Sequence, residues 1–100
     1  MSEMSKACAL VRVLLDRGFS VTVDNGEEIV ARRSRDEREI CEALGQADME
    51  TLVLYRDGAR QGAMLLVWGN DPDGSELVCD YTDTPQLDAI WREVFWDDGN

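Results

Sequence analysis

The sequence contains no histidine, and its ten Lys and Arg residues are outnumbered by twenty-one Asp and Glu residues. Without histidine, the side chain that most often serves as general base or as partner of a nucleophile is missing. The formal net charge of −11 opposes direct binding to DNA, RNA or an anionic membrane, because these surfaces carry the same sign. No apolar run reaches the ~20 residues of a membrane-spanning helix. We therefore expect any partner to be a basic protein.

One hundred residues with 44% hydrophobic content, and no repeat or linker, predict one acidic domain spanning 1–100. The opening segment MSEMSKACALVRVLL carries Glu3 early and has no basic leader, so it predicts a helix rather than a signal peptide. Cys8, Cys41 and Cys79 are odd in number, far apart and each within an apolar segment. This pattern favours reduced, buried thiols in a cytoplasmic protein, which we expect to be a monomer.

The first half of the chain predicts a helix, a hairpin and a second helix. Apolar residues recur at helical spacing from about Ser2 or Ser5 to Arg17, and Gly18 then ends the helix. The segment FSVTVDNGEEIVARR predicts a β-hairpin with a two-residue type I′ turn at Asn25-Gly26. That turn sets the pairs Val21 with Val30, Val23 with Glu28, and Asp24 with Glu27. The second helix begins with a capping box, Ser34 and Glu37, buries Ile40, Cys41 and Leu44, and ends at Gly45.

The second half predicts three strands and a last helix. METLVLY and QGAMLLVWG form a hairpin across Asp57-Gly58, and the run from Ala63 to Trp68 indicates a central strand buried on both faces. SELVCDY predicts a third strand, with Leu77, Cys79 and Tyr81 on one face and Glu76, Val78 and Asp80 on the other. Thr84 or Asp83 caps a helix with Pro85 in its first turn and with Leu87, Ile90, Trp91, Val94 and Phe95 as its apolar stripe.

The predicted order is α-β-β-α-β-β-β-α, in which all strand connections but one are short. Short connections favour antiparallel pairing. The sequence therefore predicts an α+β domain, with a mainly antiparallel sheet of about five strands and helices packed on one face.

Catalytic and metal-binding motifs are poorly represented. There is no Gly-rich phosphate loop, so we expect neither an enzyme nor a cofactor. The segment GNDPDGSELVCD places Asp71, Asp73 and Asp80 at calcium-ligand positions of an EF-hand-like loop. Gly69 occupies the required first ligand position, however, and Pro72 interrupts the loop. We expect no metal site.

The segment NDPDGSELVCDYTDTP contains five acids and no base. Turn and cap chemistry accounts for Asp71, Asp73 and Asp83, but it leaves Glu76 and Asp80 without a local role. The last helix adds further acids, for which the pair Asp88 and Arg92 is the only predicted compensation. Trp96 beside these acids is a candidate anchor for an arginine of the partner. The candidate partner-binding residues are Asp71, Asp73, Glu76, Asp80, Asp83, Glu93, Asp97 and Asp98, with Asp24, Glu27, Glu28 and Trp96 as a secondary set.

Unpaired carboxylates on a rigid sheet suggest imitation of a nucleic-acid backbone. Alternate residues on one face of a strand are about 6–7 Å apart, which is comparable to the spacing of successive phosphates. A protein of this kind needs surplus negative charge and a stiff scaffold, without a catalytic group.

The chain resembles the small acidic proteins with which phages and mobile elements disarm bacterial defences, and most of all the anti-CRISPR proteins that inhibit type I-C systems. The resemblance covers the whole length, including VTVDNGEEIVARRS, LLVWGNDPDGSELVCDYTD and the lack of histidine. It implies a protein of the bacterial host cytoplasm that binds the CRISPR surveillance complex, with the DNA-engaging surface of the large subunit as one target. These proteins share no motif, so the resemblance transfers no functional residue.

The alternative is a protein-interaction or accessory domain whose acidity serves solubility only. Its contact surface would then be an apolar patch near Trp68, Trp91 or Trp96.

Overall fold

The computed structural model describes residues 2–69 and 76–96, in which the chain forms three α-helices and five β-strands. The order along the chain is the predicted one. The elements are α1 (Glu3–Asp16), β1 (Ser20–Asp24), β2 (Ile29–Ser34), α2 (Glu37–Ala43), β3 (Met49–Arg56), β4 (Ala59–Val67), β5 (Val78–Tyr81) and α3 (Pro85–Phe95).

The five strands form one antiparallel sheet in the spatial order β2-β1-β3-β4-β5. Helix α1 packs between α2 and α3, and all three helices cover the same face of the sheet. The α+β fold class is therefore confirmed. Among the described helices, none is long and apolar enough to cross a membrane.

The core lies between the helices and one face of the sheet. Leu52 and Leu54 of β3 and Met64 and Leu66 of β4 are fully buried against the helices. Alternate residues such as Leu65 point to the other side, where they are only half-buried. The prediction that the run from Ala63 to Trp68 is buried on both faces is wrong, because the helices cover one face only. We call the uncovered side the open face.

The first hairpin has a longer loop than predicted. Asp24 pairs with Ile29 and Val23 with Ala31, so four residues, 25–28, connect the strands. The Asn25 side chain accepts hydrogen bonds from the backbone N–H groups of Glu27 and Glu28, both at 2.9 Å. These bonds replace the tight type I′ turn with a wider one. The predicted pairs Val21 with Val30, Val23 with Glu28 and Asp24 with Glu27 do not form.

Strand β2 contains a bulge at its second half. Three steps along β2, from Ala31 to Ser34, oppose two steps along β1, from Val23 to Val21. Arg33 absorbs the extra residue with a left-handed backbone, φ 45°, and its N–H donates to the Thr22 hydroxyl at 2.9 Å. A bulge of this kind bends an edge strand and redirects a side chain.

Helix α2 begins two residues later than the predicted capping box requires. Asp36 is the N-cap, and its carboxylate accepts from the N–H groups of Arg38 and Glu39 at 3.0 and 3.3 Å. Ser34 instead ends β2, where its hydroxyl accepts from the Asp36 N–H at 3.1 Å. An aspartate cap is as favourable as a serine cap, so the helix still begins with a satisfied donor.

Strand β5 is short and irregular, which changes the predicted faces. Val78 pairs with Leu66 and Asp80 with Leu65, so Cys79 is an extra residue in the edge strand. Val78 consequently faces the core, Asp80 lies on the open face, and Cys79 is exposed. The sequence pattern assumed regular alternation, which the bulge interrupts.

The prediction of three buried thiols is wrong. Cys79 is exposed, and Cys8 and Cys41 are only partly buried between α1 and α2. Burial, and then the hydrogen bond with the Cys8 thiol, raise the pKa of Cys41 to about 12.

Helix α3 is capped by Thr84, whose hydroxyl accepts from the Leu87 N–H at 3.1 Å, with Pro85 as the first helical residue. Asp83 is therefore not the cap. The helix lies close to β4, because a Cβ added at Gly62 would be only 2.8 Å from Leu87 Cδ1. Glycine at this position permits the close approach.

Candidate acidic interface

Three of the predicted partner-binding acids, Glu76, Asp80 and Asp83, lie in and around the edge strand β5, and all three are exposed. We call them the acidic edge. Asp80 accepts a hydrogen bond from the adjacent Tyr81 N–H at 2.9 Å. Within residues 2–69 and 76–96, no cation forms an ion pair with any of the three. The acidic edge therefore presents uncompensated negative charge.

The acidic edge does not form the regular row of carboxylates that the sequence suggested. Glu76 precedes β5 rather than belonging to it, and the extra residue Cys79 separates Val78 from Asp80. The spacing of alternate strand residues consequently does not apply to Glu76 and Asp80. What the arrangement retains is the charge, without a fixed phosphate-like repeat.

The ion pairs of the described residues lie in the helical layer. Four Arg–carboxylate pairs occur in the described residues, and each involves at least one helical residue. They are Arg12–Glu37 at 3.2 Å, Arg17–Glu93 at 2.5 Å, Arg38–Glu42 at 3.1 Å and Arg92–Asp88 at 2.8 Å. These pairs offset acids of the helical layer and leave the acidic edge without compensation.

Glu93 is separate from the acidic edge. It lies on α3, and its carboxylate is paired with Arg17 from the end of α1. The prediction that Asp88 and Arg92 form the only compensating pair is therefore wrong, because the fold brings Arg17 to the same helix. Four further predicted acids, Asp71, Asp73, Asp97 and Asp98, lie outside the described residues.

The aromatic residues near the acidic edge form a connected cluster. Trp91 stacks on Tyr81 with ring centroids 5.9 Å apart. The ring of Trp96 is tilted against that of Trp91, with centroids 6.2 Å apart. Trp96 is 53% exposed, and the Arg92 guanidinium lies 5.4 Å from its ring. The predicted anchor is thus accessible, but an arginine of this chain already occupies one side of it.

A hydrogen bond ties β5 to α3. The Tyr81 hydroxyl donates to Asp88 at 2.7 Å, and Arg92 donates to the other oxygen of the same carboxylate at 2.8 Å. The bonds from Tyr81 and then Arg92 lower the pKa of Asp88, whereas the same contact with Asp88 raises the pKa of Tyr81. Asp88 therefore acts as a link between β5 and α3.

The secondary acids lie at the other side of the sheet. Asp24 ends β1 and accepts from the Gly26 N–H at 2.8 Å, while Glu27 and Glu28 are exposed in the loop that follows. Strands β3 and β4 lie between β1, where this loop begins, and β5 at the acidic edge. The loop acids Glu27 and Glu28 therefore lie apart from the acidic edge, whereas Asp24 is in the same cross-strand row as Asp80.

One acid that the sequence reasoning missed is Glu50, which is only 1% exposed. Its carboxylate accepts from the N–H groups of Gly45 and Gln46 at 2.8 and 3.1 Å, and from Trp68 Nε1 at 2.6 Å. The signal was in the alternation of METLVLY, which places Glu50 on the same side as Leu52. Because nitrogen donors surround the carboxylate, its role is structural.

Among the depressions of the described surface, two are considered as possible sites. One, of about 400 Å³, is lined by Ser2, Glu3, Met4, Gly45 and Trp68. The other, of about 200 Å³, lies on the open face beside Leu65 and Asp80. The described residues contain no cluster of three or more potential metal ligands.

The chain was compared with protein-family models, curated proteins and solved structures. None of the three comparisons finds a match.

Proposed function

We propose that this protein is a non-enzymatic inhibitor that occupies the basic DNA-binding surface of a bacterial CRISPR surveillance complex, on its large subunit. The observation that carries the proposal is the acidic edge, where Glu76, Asp80 and Asp83 are exposed and uncompensated. A surface that binds DNA presents Lys and Arg where phosphates lie, and these cations attract carboxylates in the same way.

In this mechanism the protein competes with the DNA backbone for the cations of the groove. It does not imitate the bases. The net charge of −11 draws the protein towards a basic groove and speeds the encounter. The acidic edge then neutralises cations that otherwise contact the DNA backbone. Because Asp80 lies in β5 and Asp83 lies between β5 and α3, binding needs no further folding of this segment, and little conformational entropy is lost.

The test is a competition assay between this protein and target DNA for a purified type I-C surveillance complex. The test variant is Glu76→Gln with Asp83→Asn, and the matched control is Glu39→Gln with Asp16→Asn on the helices. Both variants remove two exposed acids. Asp80 stays unchanged because it also belongs to the open face.

We expect the test variant to inhibit at least ~10-fold more weakly, at about 1 kcal/mol for each lost contact with a cation. We expect the control to remain within about 2-fold of the wild type. Equal inhibition by both variants would show that the acidic edge is not the contact surface.

A protein-interaction domain that binds through apolar contacts is the second candidate, favoured by the half-exposed Val53, Leu65 and Val67 on the open face. The two candidates differ in salt dependence. An affinity that falls steeply between about 50 and 300 mM NaCl supports the acidic inhibitor, whereas a constant affinity supports apolar binding.

A further inference from the structure

The open face has a central row of uncharged residues, a basic row on one side of it and a row with two acids on the other. Its residues pair across the sheet in rows that run perpendicular to the strands. The central row contains Thr22, Val53 and Ala63. Exposed Ile29, at 41%, pairs with Asp24, and Met49, at 53%, pairs with Val67 in the outermost row at the same side. An apolar sheet face without a covering layer is a typical protein-contact surface.

One end of the open face is basic. Its row pairs Ser20 with Tyr55 and Tyr55 with Arg60, which is exposed. The bulge in β2 brings the Arg33 guanidinium to 4.1 Å from the centre of the Tyr55 ring. Neither arginine forms an ion pair with a described residue.

The row on the other side of the central row is acidic. Its row pairs Asp24 with Thr51, Thr51 with Leu65, and Leu65 with Asp80. Asp24 and Asp80 likewise form no ion pair with a described residue. The basic and acidic rows lie two residues to either side of the central row, about 7 Å each.

This arrangement is complementary to itself. Consider a two-fold axis that lies in the plane between two open faces, perpendicular to the strands and above the central row. It places the basic row of one copy over the acidic row of the other. Arg33 then lies near Asp24 of the other copy, and Arg60 lies near its Asp80, each within about one strand spacing. Val53 packs on itself at the axis. Closed two-fold contacts require such self-complementarity.

We propose that the open face is the interface of a homodimer, in which two sheets pack face to face between two outer helical layers. This inference does not rest on the proposed function. It differs from the monomer that we expected from the sequence. The placement of basic and acidic rows on the open face depends on the strand register, which the sequence alone does not give. Aligned packing of two sheets at about −30° is the common solution for such faces.

Two features favour a contact between faces over a contact between edges. Both edge strands are irregular, β2 through the bulge at Arg33 and β5 through Cys79, and bulged edges pair poorly with a further strand. The strained left-handed conformation of Arg33 has the effect of placing its side chain on the open face.

The size of the face indicates a weak, reversible dimer. Five strands at about 4.8 Å spacing and five to six residues at about 3.4 Å give roughly 400–500 Å² per copy. Two such faces bury about 800–1,000 Å², below the standard size of stable complexes. The helical layers, with their acids, lie on the outer sides and beyond a Debye length of about 8 Å, so salt at physiological strength screens their repulsion.

Analytical ultracentrifugation of the whole chain from about 10 μM to 1 mM, at 0.15 M NaCl, tests the proposal. We expect the mean mass to rise from 11.3 kDa towards twice that value with concentration. A mass that stays at 11.3 kDa up to 1 mM would overturn the proposal.

Charge exchange identifies the interface. Arg60→Asp and Asp80→Arg should each weaken association at least ~10-fold, because each creates like-charged contacts at both ends of the dimer. The double substitution reverses these pairs, leaves the net charge at −11, and should restore association. Val53→Asp should prevent association, with circular dichroism as the control for folding. A dimer that is insensitive to the single substitutions, or not restored by the double one, would contradict this interface.

The two proposals fail separately. Association depends on Arg60, Asp80 and Val53, whereas the competition assay changes only Glu76 and Asp83. Loss of one effect therefore leaves the other measurable.

Discussion

Three nitrogen donors from two separate parts of the chain converge on the carboxylate of Glu50. Two come from the turn after α2, at Gly45 and Gln46, and one comes from the indole of Trp68 at the end of β4. Turn backbone that lies near the core has no strand partner for its N–H groups, so a side chain must accept from them. Glu50 thereby fixes the connection between α2 and β3.

Replacing Glu50 should destabilise the protein strongly. In Glu50→Ala the three donors lose their acceptor, and each donor that remains buried costs about 1–3 kcal/mol. We expect the free energy of unfolding in urea to fall by about 3 kcal/mol or more. Glu50→Gln, which keeps one acceptor oxygen, should lose about 1–2 kcal/mol.

The matched control is Asp48→Asn, which changes an exposed acid two residues away and should stay within about 0.5 kcal/mol of the wild type. If Glu50→Ala and Asp48→Asn unfold at the same urea concentration, the Glu50 carboxylate does not stabilise the folded state.

The elements themselves follow from local signals, whereas their exact pairing does not. The hairpin at Asp57-Gly58 was predictable, because both residues adopt the left-handed backbone that such turns need. The first hairpin was not, because the amide of Asn25 competes for the turn N–H groups. A bulge such as that at Cys79 has no local sequence signal here, and it decides that Asp80 lies on the open face.

The candidate site was predicted in composition but not in arrangement. The absence of bases around Glu76 and Asp83 is readable from the sequence. The pairing of Glu93 with Arg17 is not, because it joins residues 76 positions apart through the packing of α1 against α3. Long-range contacts of this kind require the tertiary structure.

The hydrogen bond between Tyr81 of β5 and Asp88 of α3 should make the free energy of unfolding depend on pH. Asp88 has a lowered pKa in the folded state, so its contribution is present above its ordinary pKa of about 4 and is lost as the pH falls through the folded value. Tyr81 has a raised pKa, so its contribution is present below about pH 10 and is lost as the pH rises through the folded value.

Tyr81→Phe removes the bond to Asp88. We expect the stability difference between wild type and Tyr81→Phe, measured by urea unfolding, to be largest between about pH 5 and 9 and to shrink on both sides. Tyr55→Phe is the control, because the Tyr55 hydroxyl forms no hydrogen bond with a described residue. A Tyr81→Phe difference that stays constant from pH 3 to 11 would argue against the link.

At the scale of the whole molecule, two electrostatic effects of opposite sign compete. The net charge of −11 reflects an excess of carboxylates, which repel one another in the compact state and lower its stability. The four Arg–carboxylate pairs attract, but their side chains are 39% to 87% exposed, and exposed pairs contribute only about 0–1 kcal/mol each. The long-range repulsion should therefore outweigh the local attraction.

Salt should consequently stabilise this fold. Raising NaCl from about 10 mM to 0.5 M shortens the Debye length from about 30 Å to a few ångström, which screens the repulsion. We expect the melting temperature at pH 7 and a few micromolar protein to rise by several degrees. Near pH 4.2, where the net charge vanishes, the same salt step should have a much smaller effect. A melting temperature that falls with NaCl at pH 7 would mean that the ion pairs dominate. The proposed inhibition of DNA binding should weaken over the same range of NaCl concentration. If inhibition weakens while the melting temperature rises, the loss of inhibition is due to weaker binding and not to unfolding.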